Sequence, residues 1–455
     1  ITFKEALEKG AKKAKPADFD KRLKSIKRDD LSTLIYTSGT TGNPKGVMLS
    51  HYNFFSNVKN IMQDMGQFFS VNDIWLSFLP LSHSLEMTTG YYGPIWAGAK
   101  TAFAESIEKL VANFTEVKPT VIISVPRIYE KVHAGIVAKF ATESGVKKAI
   151  FNFALNTAKK NLPHVCRDIP RKGLFAIRFN VADKLVFSKL KAAIGLDRLR
   201  YAISGGAPLA VSDAEFFIGM GLKILEGYGL TETTPVITYN RPWFIKPGTV
   251  GQAIPETKVK IADDGEILAK GPQVMLGYYK NKAATEEVMT KDGYFRTGDI
   301  GVIDEDGCLK ITGRIKDIIV TAGGKNISPQ NIENSVKESP YIEELAVIGD
   351  KRKYLSALVI PDFEAVGKWA KQKGIKFANN SDLIKNDEVI QLIGNEIAKY
   401  TKQYSRVEQI KKFTLLEAVW TQETGELTPT QKVKRKVIEQ KYAKEINAMY
   451  PPDLD

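Results

Sequence analysis

Histidine and cysteine are scarce in this sequence. Among its 455 residues there are four histidines and two cysteines. His51, His83, His133 and His164 are scattered, which argues against a histidine-based metal site. Cys166 and Cys308 fit no metal spacing, and two thiols build no disulfide framework, so a reducing compartment is the default. No run approaches the ~20 apolar residues of a membrane span, and the opening residues do not read as a signal peptide. Internal repeats and low-complexity stretches are also missing, which excludes repeat architectures and disordered tracts.

What is present is ordinary for a globular chain: 43% hydrophobic and 26% charged residues. At ~100–200 residues per domain the length allows two to four folding units. The net charge of +13 leaves nucleic acid, an anionic membrane surface or small anionic substrates as partners. The Lys-rich stretch 4–28 also carries Glu5, Glu8, Asp18 and Asp20, and reads as a solvated face.

Residues 31–37 (LSTLIYT) read as a strand running into a Gly/Thr loop, with a second strand at 47–49 and a helix starting at Ser50-His51. The run 120–125 (TVIISV) predicts a buried parallel strand, residues 127–191 are helical in pattern, and 199–204 and 222–225 predict further strands before glycine turns. This alternation predicts an α/β layer fold. Between 248 and 313, short β-branched segments alternate with Asp-Gly turns, which predicts a small antiparallel or barrel-like unit. A strand is expected at 317–320, and helices mixed with strands at 345–348 and 357–360 follow.

The strongest chemical signal is 36–46 (YTSGTTGNPKG). Glycines turn backbone N–H groups toward an anion, hydroxyls add donors, and Lys45 supplies a point charge, so the segment suits polyphosphate; a plain surface turn is the other reading. It is no Walker A loop, because Pro44 precedes Lys45 and Gly46 follows it. Five further motifs follow in order: 205–209 (GGAPL), 227–233 (GYGLTET), 294–301 (YFRTGDIG), 313–320 (GRIKDIIV) and 428–436 (TPTQKVKRK). Together these six resemble the motif series of the adenylate-forming superfamily, and the phrasing of 313–329 is similar to its long-chain fatty acid:CoA ligases.

The resemblance implies a large N-terminal adenylation domain over 1–314, of α/β layers plus a small distorted β-barrel, and a smaller mobile α+β lid over 315–455. It implies that Thr37, Ser38, Gly39, Thr40, Thr41, Gly42 and Lys45 bind the nucleotide's phosphates, and that Gly206, Glu226, Gly227 and Tyr228 border the adenine. It puts Thr231 on the α-phosphate, Glu232 with Thr40 on Mg²⁺, Asp299 on the ribose, and Arg314 on ribose or phosphate. Lys432 becomes the catalytic lysine, with Lys434 and Lys436 as alternatives in register, Lys316 the hinge, and His83 a neighbour of the acyl site. Without the resemblance, Thr231 reads equally as a helix cap, Tyr228 as a core tyrosine, Asp299 as a turn residue, Arg314 as a surface ion-pair partner, His83 as a structural histidine and Lys432 as part of a solvated basic strip.

The implied activity is formation of acyl-AMP from a fatty acid and ATP, followed by transfer to coenzyme A. A ligase that loads a carrier protein and a non-catalytic acyl or nucleotide binder are the alternatives, and no nucleic-acid motif is present. Phe54, Phe55, Met87, Tyr91, Tyr92 and Trp96 are candidates for an acyl tunnel, or simply core. The basic helical stretch 127–191 suits contact with an anionic membrane, so the expected location is the cytoplasm, peripheral on the inner face of a membrane. Only about 35 residues precede the phosphate loop, where the family carries a far longer stretch. The sequence is therefore expected to be part of a longer chain and poorly active alone.

Overall fold

The computed structural model describes residues 1–13, 15–37, 44–141, 143–421, 423–427 and 433–450. Its centre is a seven-stranded sheet in the order Lys100–Phe103, Ile74–Ser77, Val121–Ser124, Tyr201–Ser204, Lys223–Gly229, Val236–Tyr239, Gln252–Ala253. The first five strands run parallel and the last two pair antiparallel. Val121–Ser124 is buried at every position, as a parallel strand covered on both faces requires. Ile122, Ile123, Leu225, Phe217 and Phe187 share the largest apolar core with these strands.

The helical reading of 127–191 holds. Helices Pro126–Ala141, Gly145–Cys166, Gly173–Ala182 and Ser188–Ala193 cover one side of the sheet. Helix Gly145–Cys166 packs so closely on Val211–Gly219 that a Cβ on Gly219 would lie 2.8 Å from that of Ala158.

Leu31–Thr37 and Lys45–Ser50 form an antiparallel pair whose last register is Thr37↔Lys45, and Gly277–Tyr278 adds a third strand against Lys45–Ser50. Ser50 caps helix His51–Met65 by accepting from Asn53 N, while Asn53 Oδ1 accepts from Ser50 N. The expected antiparallel unit is a four-stranded sheet of Lys258–Ile261, Glu266–Lys270, Phe295–Ile303 and Leu309–Arg314.

Beyond Arg314 the chain builds a second core. It consists of the sheet Ile342–Ile348, Leu355–Pro361, Ile410–Leu415 and the helices packed on it, among them Pro329–Val336 and Asp387–Thr401. Cys166 and Cys308 are buried free thiols. Among the described residues no helix is long and apolar enough to cross a membrane.

Two expectations are corrected. The strand expected at 222–225 runs on through Gly229, because Glu226 still pairs with Ser204 on one side and Gly227 and Tyr228 pair with Tyr239 and Thr238 on the other. The strand expected at 317–320 shrinks to Ile319–Val320. Ile315–Asp317 is a 3₁₀ turn, and only two residue pairs join Ile319–Val320 to Asn326–Ile327.

Candidate active site

A cavity of about 2690 Å³ opens at the carboxyl ends of the parallel strands, the place where open α/β sheets bind ligands. Thr37, Lys45, His83, Gly206, Glu226, Gly227, Tyr228, Thr231, Glu232, Asp299, Arg314 and Lys316 all line it. Ser38, Gly39, Thr40, Thr41, Gly42 and Lys432 lie outside the described residues.

On one side of the cavity, Asp299 is the centre of a buried hydrogen-bonded cluster. The Tyr228 hydroxyl donates to Asp299 Oδ2 at 2.7 Å, and Arg314 Nε donates to Oδ1 at 2.7 Å. Asp299 faces Arg314 across an antiparallel pair, so the sheet register itself brings them together. The preceding turn is held by Glu266, whose Oε1 accepts from Gly298 N at 2.9 Å. Burial and the Asp299 charge keep the Tyr228 phenol protonated and donating. Both Asp299 oxygens retain lone pairs for further donors such as a diol.

Glu226 works on its neighbours. Its Oε1 accepts from Leu209 N at 3.2 Å and so ties the 205–209 turn to the strand. Burial pushes its carboxyl up to about 8. Gly206, at φ +83 with only Val125 Cγ1 within reach of an added Cβ, leaves that turn's backbone open to the cavity.

The cavity wall also carries Thr231 and Glu232, in the 3₁₀ turn Thr231–Thr233. The turn is capped by Thr233, whose hydroxyl accepts from Leu230 N at 3.0 Å. That leaves the Thr231 hydroxyl to meet Ser84 at 3.3 Å on the cavity wall. The turn closes at Thr234, which holds the left-handed conformation at φ +58. For a β-branched residue this costs ~1–2 kcal/mol. It is held there by hydrogen bonds from Thr234 Oγ1 to Gln273 O and from Thr88 Oγ1 to Thr234 O.

Glu232 Oε1 accepts from the Tyr278 hydroxyl at 2.8 Å, and its Oε2 takes no hydrogen bond among the described residues. Among the described residues no three His, Cys, Asp or Glu side chains converge there as a closed metal cage. One available carboxylate oxygen facing the cavity fits Mg²⁺, an ion that keeps waters and shares substrate phosphates. Ser84 and Tyr278 were missed in sequence because neither lies in a Gly-rich or charged motif.

His83 is half-buried on the wall, with Nδ1 accepting from Leu85 N at 3.2 Å. The expected aromatic tunnel is corrected. Phe54, Phe55, Met87, Tyr91, Tyr92 and Trp96 are absent from the cavity wall: Phe54 is core, while Phe55, Tyr91 and Trp96 are exposed. The apolar lining comes from a different set, Val58, Ile61, Met62, Met65, Phe69 and Trp75; on the helix His51–Met65 the first four are the later turns of the stripe that begins with Phe54, whose own ring packs with Ile35, Val47 and Tyr278. Lys316 lies in the turn after the last strand of the four-stranded sheet. From the part beyond Arg314, Val433 and Arg435 line the cavity, Arg435 Nη2 holding Glu333 Oε1 at 2.7 Å, whereas Lys434 and Lys436 do not line it.

Residues 2–279 match the family model described as AMP-binding enzyme, and residues 316–453 the model of the AMP-binding enzyme C-terminal domain. The long-chain-fatty-acid–CoA ligase FadD15 of Mycobacterium bovis is 40% identical over 440 residues, covering 96% of this chain and 72% of that protein. The peroxisomal long chain acyl-CoA synthetase 6 of Arabidopsis thaliana is 34% identical, covering 93% of this chain and 61% of its own. Among solved structures, the adenylation domain of a carboxylate reductase from Mycobacterium chelonae superposes with a TM-score of 0.69 at 23% identity. That match covers 93% of this chain and 60% of that one. ATP-bound MatB from Rhodopseudomonas palustris gives 0.62 at 25% identity, with 91% and 69% covered. With matching models over both parts of the chain and relatives at this identity, the protein belongs to the family of AMP-binding enzymes.

Proposed function

We propose that the chain activates a long-chain fatty acid with ATP and passes the acyl group to coenzyme A. In the first half-reaction a carboxylate oxygen attacks the α-phosphorus, the α–β bridging bond breaks, and acyl-AMP and pyrophosphate form. In the second, the CoA thiol attacks the acyl carbon, loses its proton, and AMP leaves. Catalysis of the first step is mostly positioning and charge neutralisation. Asp299, braced by Tyr228 and Arg314, receives the ribose hydroxyls. Thr231 and Lys45 face the phosphates, and Glu232 would hold a Mg²⁺ ion that neutralises charge on them.

Lys432 completes the charge neutralisation from the lid, which turns at Lys316 between the two half-reactions and divides the chain near residue 314. The six apolar residues from Val58 to Trp75 support an alkyl chain as the acyl group.

The observation that carries this reading is the convergence of twelve candidate residues from separate motifs on a single cavity. ATP–pyrophosphate exchange across acids of rising chain length tests it. Exchange is expected to rise with chain length, and no exchange with any acid would remove the assignment.

The same reading includes a peripheral membrane contact. Leu174, Ile177, Val181 and Leu185 form an exposed apolar stripe at helical spacing, flanked by exposed Lys172, Lys184 and Lys189. That combination suits the interface of an anionic bilayer. Co-sedimentation with anionic but not neutral vesicles, reduced by I177E, is the expected outcome, and equal sedimentation of wild type and variant would count against it.

A further inference from the structure

Residues 275–279 lie against the phosphate side of the cavity and had no role in the motif reading. Their backbone is locked in place. Leu276 N donates to Met48 O at 3.0 Å, Tyr279 N to Gly46 O at 2.8 Å, and Tyr278 N to Thr285 Oγ1 at 2.9 Å. The same segment grips Glu232 twice, from Met275 N to its carbonyl oxygen and from the Tyr278 hydroxyl to Oε1, each at 2.8 Å. On the other side of Tyr278, the Lys45 ammonium sits 4.9 Å from the centre of the ring. Tyr278 is 6% exposed. It therefore touches both the strand that carries Lys45 and the neighbouring turn that carries Glu232.

Lys45 and Glu232 are opposite charges facing one cavity, yet no ion pair joins them among the described residues. A direct pair would neutralise both groups before a nucleotide arrives. The ring offers Lys45 a cation–π contact, and the hydroxyl offers Glu232 a charge-assisted hydrogen bond that leaves Oε2 available.

We propose that Tyr278 is a positioning residue for the triphosphate end of the site: its hydroxyl fixes the Glu232 carboxylate for a divalent cation, and its ring keeps the Lys45 ammonium apart from that carboxylate. This rests on the nucleotide reading above and adds a residue to it.

Calorimetric titration of the 455-residue protein with ATP, in Mg²⁺ and in EDTA, tests it. Y278F loses only the hydroxyl, so ATP affinity in Mg²⁺ should fall about tenfold, the equivalent of one charged hydrogen bond, with little change in EDTA. Y278L also removes the ring, so affinity in EDTA should fall as Lys45 is drawn to Glu232, and the Y278L/E232Q double variant should recover it. In a double-mutant cycle Y278F should have no further effect in an E232Q background.

A Y278F protein that binds ATP as the wild type does overturns the proposal. So does an equal loss with and without Mg²⁺, or additivity with E232Q. A wild-type protein that binds no ATP at all sinks the nucleotide reading instead, so the two failures are distinguishable. If Y278F does not melt cooperatively, T285V, which removes the acceptor of Tyr278 N together with an exposed hydrogen bond to Asn281 O, should weaken binding in Mg²⁺ but not in EDTA; an unchanged Mg²⁺ dependence there also overturns the proposal.

Discussion

Glu226 shows how much one side chain's surroundings change its chemistry. It is buried at 7% exposure, and burial lifts its carboxyl from the ordinary value near 4.5 to about 8, against the pull of the Leu209 amide. The unfolded chain releases this proton near the ordinary value while the folded chain keeps it. Folding stability from this group is therefore fully present below pH 4.5 and is lost as pH rises toward 8. A neutral glutamine can still accept from Leu209 N and pays none of that cost. E226Q should melt with the wild type near pH 4 and become progressively more stable than it up to pH 8, by roughly 3–5 kcal/mol at the plateau. Thermal melts across that range check it, and parallel pH profiles for the two proteins would contradict it.

The strand Lys223–Gly229 shows what element-level pairing adds. In sequence, residues 226–229 read as a glycine turn after a strand, and the residue types give no reason to think otherwise. In the structure the segment is still strand, because Val236–Tyr239 returns antiparallel beside it. Gly229 is where the return is tightest: an added Cβ would stand 1.7 Å from Pro235 O, which is backbone and cannot turn aside. G229A should destabilise the protein by about 3 kcal/mol or more and displace Thr231 and Glu232, two and three residues on. Chemical denaturation reads the first effect and ATP affinity the second; a fully stable G229A would show that the turn can open.

Across the whole molecule, the part beyond Arg314 docks on helix Pro126–Ala141. Arg127 Nη2 lies 4.0 Å from Glu343 Oε1, and Glu130, on the same helix, faces Lys337 and Glu344. Burial lifts the Glu130 carboxyl above its ordinary value. Lys337 and Arg127 pull it back, while Asp213 and Glu344 raise it. Packed in this way, the Glu130 carboxyl binds its proton more tightly than it would if the two parts separated. The packed arrangement's stability from this group is complete below the ordinary carboxylate value and weakens as pH rises through the raised one. Protease cleavage in the turn Ile315–Asp317 should accelerate from pH 5 to pH 7.5 in the wild type and much less in E130Q. Identical pH dependence in both would assign the effect elsewhere.

The chemistry was legible in the sequence wherever it is written in contiguous residues. Glycine, hydroxyl and lysine at close spacing suit an anion by local chemistry alone, and the order of six such segments indicated the family, the α/β architecture and twelve residues that line the cavity. Apolar runs such as 121–124 indicated the buried strands for the same local reason. Only the tertiary structure decided which side chains meet. Tyr228 and Asp299 are 71 residues apart and Tyr278 and Glu232 are 46 apart, and the packing of one sheet or turn against another, not spacing, joins them. Which turns of the apolar stripe on helix His51–Met65 reach the cavity was equally hidden, because Phe54 and Met65 share one helical face and only packing separates the core part of that stripe from the lining part.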